Sequence, residues 1–524
     1  MSQAPDELVQ LKTLLMQLQQ ENQALETDKK SLTIDNLALE SKLKIICAEN
    51  ITLKDKLELA LAQLNLNRAK RFGAQTEKAA RGTFNEAEQH ASASPAHHKK
   101  GRQALPEELT RDVTTYVIDE PICDDCGHEL HACGFEESEQ VRIVPAQISV
   151  IKHRCTKYAC RHCENTTTSS KIISAAKPKQ PIPGSIASPE ALAAVVTSKY
   201  CDALPLNRQT DIFKRVGFEI SRSTLANWCI KASALVEPII DSYQQHLLRD
   251  NVACADETTV QVLDEPDRDA QQKSYMWVYR SGQFAQHPVV IYDYQPGRGH
   301  EYPKAFLAGY NGYLQCDGYR AYGCLENITV SGCWAHARRK FDEALIAQPK
   351  KTGKANIAIS TIQKLYVIEK RIKLLPAKDR QKIRGIESVP ILDKFRIWLD
   401  KTSQRLLPKS YLGKAVSYTL NNWEALTRYV ENGELGIDNN VTERDIRPFT
   451  TGRKNWMFAQ SVNGAKASAM LYSIVMTCRA NDINPYFYFQ KLFEELPNRE
   501  EGADLSDLLP WHAQFKPDIA ECTA

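Results

Sequence analysis

Asn251-Val-Ala-Cys-Ala-Asp-Glu-Thr-Thr-Val-Gln-Val262 is a β-branched run with an aspartate, Asp256, at its centre, and it reads as a buried strand. A second strand-like run, Gly312-Tyr-Leu-Gln-Cys-Asp-Gly318, ends on Asp317, where the glycine forces a turn. A third acid, Glu443, follows the capping-type stretch Asp438-Asn-Asn-Val-Thr442 and opens a helix. Asp, Asp and Glu from two strands and a helix can converge on a pair of hard cations about 3.5–4 Å apart, which clamp attacking and leaving oxygens in phosphoryl transfer. An isolated acidic residue is ordinarily a solvated charge, so the reading rests on the three contexts together. Glu257, next to Asp256 on the strand, is expected on the opposite face, away from such metals.

Between and beyond these acids lie further strand-like runs, Lys273–Arg280, His287–Tyr294 and Ile328–Trp334, and a helix-length stretch from Glu301 to Ala308. The order β-β-β-α-β-β, with an acid on the first and fourth strands, predicts a ribonuclease-H-like core, a mixed sheet with helices on its faces. Its first part spans residues 246–340 and its second part, with Glu443, residues 436–500. Asp317 and Glu443 are 126 residues apart, far more than one connection needs. The amphipathic stretches Ile357–Leu374 and Ile391–Leu406 predict a helical insertion over 341–435. From Arg338 to Lys414 there are 20 basic and 7 acidic residues. An excess that large beside a candidate active site fits a phosphate-contacting surface better than a merely solvated face. On the helix begun near Asn440, Glu443 and Arg447 share a face, and a guanidinium there suits a phosphate. Arg453 and Lys454 extend that basic edge, and Arg338 and Arg339 supply another.

Residues 1–72 carry a heptad pattern, with leucine at most d positions and Asn22, Asn36 and Asn50 at a. Asn at a is tolerated where it pairs with its own copy, which predicts a parallel coiled-coil homodimer or a higher oligomer. A polar linker spans 73–106 with a basic end, and a zinc-finger-like module spans 107–175. Cys123, Cys126, Cys160 and Cys163 form two Cys-x-x-Cys knuckles, a donor set for one structural Zn²⁺. Cys133, Cys155, His128 and His162 are nearby donors that leave the ligand set open. Residues 185–245 form a helical segment with a helix-turn-helix pattern around Gly217. Its second helix, capped by Ser221, presents Arg222, Ser223 and Asn227 to a DNA groove, with Leu225 and Trp228 packed inward. Residues 501–524 form a C-terminal tail.

At 524 residues the chain exceeds one core and predicts several domains in a multidomain α+β protein. Net charge is only +3, so the distribution of charge, not its total, argues for DNA. There is no 18-residue apolar stretch and no signal-peptide core, which excludes a membrane role. Fifteen scattered cysteines suit a reducing compartment, and the expectation is a cytoplasmic, nucleoid-associated protein.

Ala255-Asp-Glu-Thr-Thr-Val-Gln-Val262, Gln315-Cys-Asp-Gly-Tyr-Arg-Ala-Tyr322 and Gly332-Cys-Trp-Ala-His-Ala-Arg-Arg-Lys-Phe341 are long, specific motifs, as are Asp438–Pro448 and Gly452–Phe458. Together they resemble the transposases of the insertion-sequence-sixty-six family, over nearly the whole chain. The resemblance implies a DDE recombinase of a bacterial insertion sequence, with Asp256, Asp317 and Glu443 in the three catalytic positions and Mg²⁺ or Mn²⁺ as cofactor. It implies double-stranded DNA as partner, at element ends and target, and further proteins of the same element as helpers. Asp445 departs from the small residue often found there. Two other classes remain compatible with the residues: a DNA-binding regulator, and a nuclease or resolvase that does not transpose.

Overall fold

The computed structural model describes residues 4–72, 148–159, 172–347 and 353–512. The linker over 73–106 and the four knuckle cysteines Cys123, Cys126, Cys160 and Cys163 lie outside the described residues. Two compact units emerge, one of Met1–Phe84, His336–Val367 and Pro390–Asn421, the other of Asn85–Ala335, Ile368–Val389 and Asn422–Ala524.

The smaller unit is helical. The heptad region forms one helix, Ala4–Phe72, of 69 residues. Leu15, Leu18, Leu25, Leu32, Leu39, Leu43, Ile46, Leu53, Leu57 and Leu64 are all exposed on it. Near its end Leu66 is buried, and the Tyr411 hydroxyl donates to Gln63. The insertion is helical as its periodicity predicts, through Lys354–Ile372, Ala377–Ile383, Val389–Ser403 and Tyr411–Asn421. Phe341, Leu365, Phe395 and Leu399 are buried in this unit. The insertion divides, however: Ile368–Val389 belongs to the larger unit.

The larger unit is built on a sheet. A hairpin, β1 (Lys157–Ala159) and β2 (Ile172–Ser174), stands apart from it. The sheet contains β3 (Val252–Asp264), β4 (Lys273–Ser281), β5 (Val290–Gln295), β6 (Tyr313–Gln315), β7 (Thr329–Ser331) and the short β8 (Ala459–Ser461). Their spatial order is β5-β4-β3-β6-β7, with β8 added beside β3. The first three strands run antiparallel and β3, β6 and β7 run parallel, so the sheet is mixed. The strand order expected from the apolar runs is the one observed, with the Glu301–Phe306 helix before β6.

Helices Pro189–Tyr200, Leu206–Arg215 and Arg222–Leu247 precede the sheet. Ser221 caps the third, its hydroxyl accepting from Thr224 N–H at 3.0 Å, and Gly217 sits at φ +86° in the turn, where a Cβ would be strained. Its first turns expose Arg222, Ser223 and Asn227 while Leu225 and Trp228 are buried. The same helix runs on for 26 residues, and Val236, Ile239 and Tyr243 share one apolar core with Met276, Trp277 and Val290 of the sheet. The helix-turn-helix segment is thus continuous with that core.

β5 is an edge strand, and the buried helix Val462–Ala480 covers it. Ser473 Oγ accepts from Tyr292 N–H at 2.8 Å, and Thr477 Oγ1 accepts from Val290 N–H at 3.0 Å and donates back to Val290 O at 3.1 Å. Side-chain hydroxyls stand in for a missing strand and close an edge otherwise open to aggregation. Replacing Thr477 with Val, close in shape, leaves Val290 N–H buried without that acceptor. Stability should fall by about 1–3 kcal/mol, read as a lower urea midpoint at unchanged slope.

Candidate active site

Asp256 lies where β3 changes neighbours. Over Val252, Ala253 and Cys254 the strand pairs in parallel with Tyr313, Leu314 and Gln315 of β6, and at Val262 and Asp264 it pairs with β8. Asp256 is two residues beyond Cys254, and Asp317 is two beyond its partner Gln315. Continued by one pleat, that register sets the two aspartates side by side on the same face. Asp317 leaves the strand in a turn of its own making, its Oδ1 accepting from Tyr319 N–H at 2.9 Å.

Glu443 arrives in the first turn of helix Asn440–Trp456. Asn439, immediately before that helix, is 1 % exposed. Its Nδ2 donates to Ala255 O at 3.0 Å, its Oδ1 accepts from Thr442 Oγ1 at 2.6 Å, and its N–H reaches Cys333 Sγ at 3.2 Å. The helix start is thereby fastened to the residue before Asp256. Gln315 Nε2 donates to Gly436 O at 2.6 Å, which ties the approach loop to the β6 strand end. Arg280 Nη1 donates to Asp445 Oδ2 at 2.7 Å, a nearly buried pair that docks the same helix on β4. Asp445, the departure noted in the sequence, is the acid this arginine needs.

Asp256 is buried among acids. Burial first, then Glu257, and further Asp317 and Glu443, push the Asp256 carboxyl up to about 7, against one lowering hydrogen bond from Glu257 N–H. Glu257 is not the distant neighbour that strand alternation predicts. Its side chain is 2 % exposed, paired with Arg298 and accepting from Tyr322 Oη at 2.7 Å. Alternation gives the face of a side chain but not what the next loop brings over it, and no signal in the Glu257 stretch itself pointed to Arg298. Among the described residues no trio of His, Cys, Asp or Glu is drawn in to metal-ligand spacing.

The candidate DNA-contacting residues divide by location. Arg447 and Lys454 are exposed on the Glu443 helix. Arg453 is engaged inward, its Nη1 donating to Thr259 O on the uncovered stretch of β3. Arg338 and Arg339 lie in the smaller unit on helix Trp334–Ala347, Arg338 3.8 Å from Asp342 and Arg339 exposed. Asn439 is the residue sequence reasoning passed over, although it stands inside the quoted Asp438–Glu443 motif.

Three family models match along the chain: the transposase IS66 family over residues 184–467, the zinc-finger binding domain of transposase IS66 over 120–164, and the IS66 C-terminal element over 473–511. The chain belongs to the IS66 transposase family. All three acids fall inside the first match and the four knuckle cysteines inside the second. Among its relatives are three uncharacterized proteins of Sinorhizobium fredii. Protein y4qI is 32 % identical over 77 % of this chain and 75 % of its own length. Protein y4jD is 30 % identical over 79 % and 83 %, and y4hP is 30 % identical over 78 % and 76 %. Among the described residues of this IS66-family chain, no helix is long and apolar enough to cross a membrane.

Like-charge crowding makes a stability prediction. Asp256→Asn removes one charge from the cluster yet keeps an acceptor for Glu257 N–H, so the metal-free variant should melt at a higher temperature than the parent. Differential scanning fluorimetry in chelator tests it, and a lower melting temperature would count against the repulsion.

Proposed function

We propose that this chain is a DDE transposase with a ribonuclease-H-like core, cutting element-end DNA and joining it to a target, with Asp256, Asp317 and Glu443 as its catalytic triad. The observation that carries the reading is the parallel pairing of Cys254 with Gln315, each two residues before an aspartate, with the Glu443 helix pinned through Asn439 to Ala255. Family membership supplies the activity class, and the strand order β5-β4-β3-β6-β7 suits that core.

The donor set fits a divalent cation. Hard carboxylate oxygens are the donors that Mg²⁺ or Mn²⁺ takes, and Asp256, pushed up to about 7 by burial first and then by Glu257, Asp317 and Glu443, is a carboxyl whose ionised form such a cation would favour. Bound by Asp256, Asp317 and Glu443, the ion supplies Lewis-acid stabilisation of charge on the phosphate oxygens. The rest falls to the chain itself. Asn439 and the Arg280–Asp445 pair hold the Glu443 helix against β3 and β4, which limits how far its carboxylate can move. Arg447 and Lys454, exposed on that helix, contact the DNA backbone, and Arg338 and Arg339 of helix Trp334–Ala347 are further phosphate contacts. Arg222, Ser223 and Asn227 read the element ends. The exposed leucines of Ala4–Phe72 suit a second copy of the chain in a parallel coiled coil. Cys123, Cys126, Cys160 and Cys163 hold a structural Zn²⁺. Accessory proteins of the same element are further partners, and the compartment is the nucleoid-containing cytoplasm.

The test uses the full chain, labelled DNA bearing the element's ends, a target plasmid and Mg²⁺. Asp256→Asn, Asp317→Asn and Glu443→Gln should each lower cleavage and joining by about 10³-fold or more while duplex binding stays nearly unchanged. Full cleavage by Glu443→Gln would remove it from the triad, and cleavage without joining by the parent would restrict the protein to a nuclease.

Metal analysis checks the zinc module separately. Protein purified without chelator should carry about one zinc per chain. Cys126→Ser or Cys160→Ser should lower zinc content and melting temperature together. Zinc-free parent protein would refute the assignment.

A further inference from the structure

Arg298 follows β5 in the loop Pro296–His300. Its Nε donates to Glu257 Oε1 at 2.7 Å and its Nη2 pairs with the same oxygen. Its guanidinium lies 3.8 Å from the centre of the Tyr319 ring, and Tyr319 Oη donates back to Arg298 O at 2.7 Å. Tyr319 is the residue whose N–H holds Asp317 Oδ1. Glu257 itself is steadied on its other oxygen by Tyr322 Oη. One chain of contacts therefore runs from the strand residue after Asp256, through a guanidinium, to the turn that carries Asp317.

Two buried arginines of the same unit show the contrast. Arg384 is fully buried, its Nε and Nη2 on the two oxygens of Glu369, and its remaining donors on the carbonyls of Tyr429, Asn432 and Leu435. Arg280 is 6 % exposed at Asp445. Arg298 keeps 41 % exposure although its partner Glu257 keeps 2 %. Both of its fixed nitrogens share one carboxylate oxygen, and among the described residues its Nη1 makes no hydrogen bond. Held along one edge by a buried acid and on one face by an aromatic ring, it presents a free, pre-oriented edge beside Asp317. A guanidinium edge of that kind matches phosphate oxygens bidentately and loses little entropy on binding.

We propose that Arg298 grips a backbone phosphate of the DNA strand being cut, and that Glu257 is the positioning residue that aims it. The assignment rests on the transposase reading above and adds to it a cation tied to the turn that carries Asp317. Glu257 acts through Arg298 and not on the DNA.

The experiment uses the full chain in two assays: nicking of supercoiled plasmid with Mn²⁺, and anisotropy binding of a fluorescein-labelled mixed-sequence duplex between about 50 and 200 mM salt. Arg298→Ala should lower nicking kcat/KM about 10- to 100-fold and reduce the slope of log K against log salt by about 0.9, the signature of one lost phosphate contact. Arg298→Lys keeps the charge but not the fork, so the slope should stay at the parent value while nicking still falls about tenfold. Glu257→Gln should weaken nicking, and the Arg298→Ala/Glu257→Gln double variant should be no worse than Arg298→Ala alone, because Glu257 works through the arginine. An unchanged salt slope in Arg298→Ala overturns the proposal, as does a parent nicking rate in Arg298→Lys; the second measurement decides if the alanine variant fails to fold. Failure of the transposase reading looks different: parent protein then nicks no faster than Asp256→Asn, while the salt slopes still report on Arg298.

Discussion

Backbone carbonyls in the middle of β3 have no neighbouring strand on one side, and the site is built around how they are satisfied. The strand leaves β6 after Cys254 and meets β8 only at Val262. A buried carbonyl in that gap needs a donor from elsewhere. Asn439 serves Ala255 and Arg453 serves Thr259. Both donors flank or belong to helix Asn440–Trp456, one just before it and one in its last turn. The helix is therefore laid along the open edge and held near both ends, which brings Glu443 in its first turn to the level of Asp256. The unpaired edge is what admits a third carboxylate beside two that the parallel register already aligns.

Bringing acids together in this way has an electrostatic consequence. Asp256 is lifted to about 7 by burial and by its neighbours, so the cluster is held at a disadvantage that surrounding contacts must sustain. Those contacts are mostly buried and charge-assisted. Arg280 with Asp445 docks the helix, and Arg384 with Glu369 anchors the loop over Tyr429–Leu435 that leads into it. Gly433 in that loop passes so close to Ala377 that a Cβ would lie 1.8 Å from its carbonyl oxygen, so only glycine fits. The insertion segment Ile368–Val389 thus belongs with the larger unit for a physical reason: its two buried arginines are spent on the carbonyls before Glu443.

Most of the strand order was legible because each strand announced itself by a short β-branched or aromatic run between turn residues. The positions of the three acids were legible too: Asp256 stands inside one such run, Asp317 closes another and Glu443 opens a helix. What stayed hidden were the side chains that connect distant stretches. Asn439 reads as a capping residue, yet its helix has no side-chain cap bond from it, and the amide goes to a strand 184 residues earlier. Glu257, next to Asp256 on the strand, meets Arg298 because a loop 41 residues on folds over it. Arg453 reads as a basic edge residue and turns inward to a carbonyl. Periodicity carries information about one element's faces; pairings of this range depend on the tertiary fold that several elements make together.

The heptad region shows the opposite balance, with local pattern complete and tertiary partner missing. Ala4–Phe72 is helical throughout, but among the described side chains its a and d leucines from Leu15 to Leu64 face water. A stripe of that width is stabilising only when something covers it, since isolated helices owe most of their stability in proteins to packing of an apolar face. Asn22, Asn36 and Asn50 interrupt the stripe at one heptad position and are exposed in the single chain. Packed against unrelated apolar surface, each amide would be buried without a partner at a cost of about 1–3 kcal/mol. Against an identical helix in register, each meets its own copy and can exchange hydrogen bonds. That difference is the physical ground for the second copy of the chain proposed above.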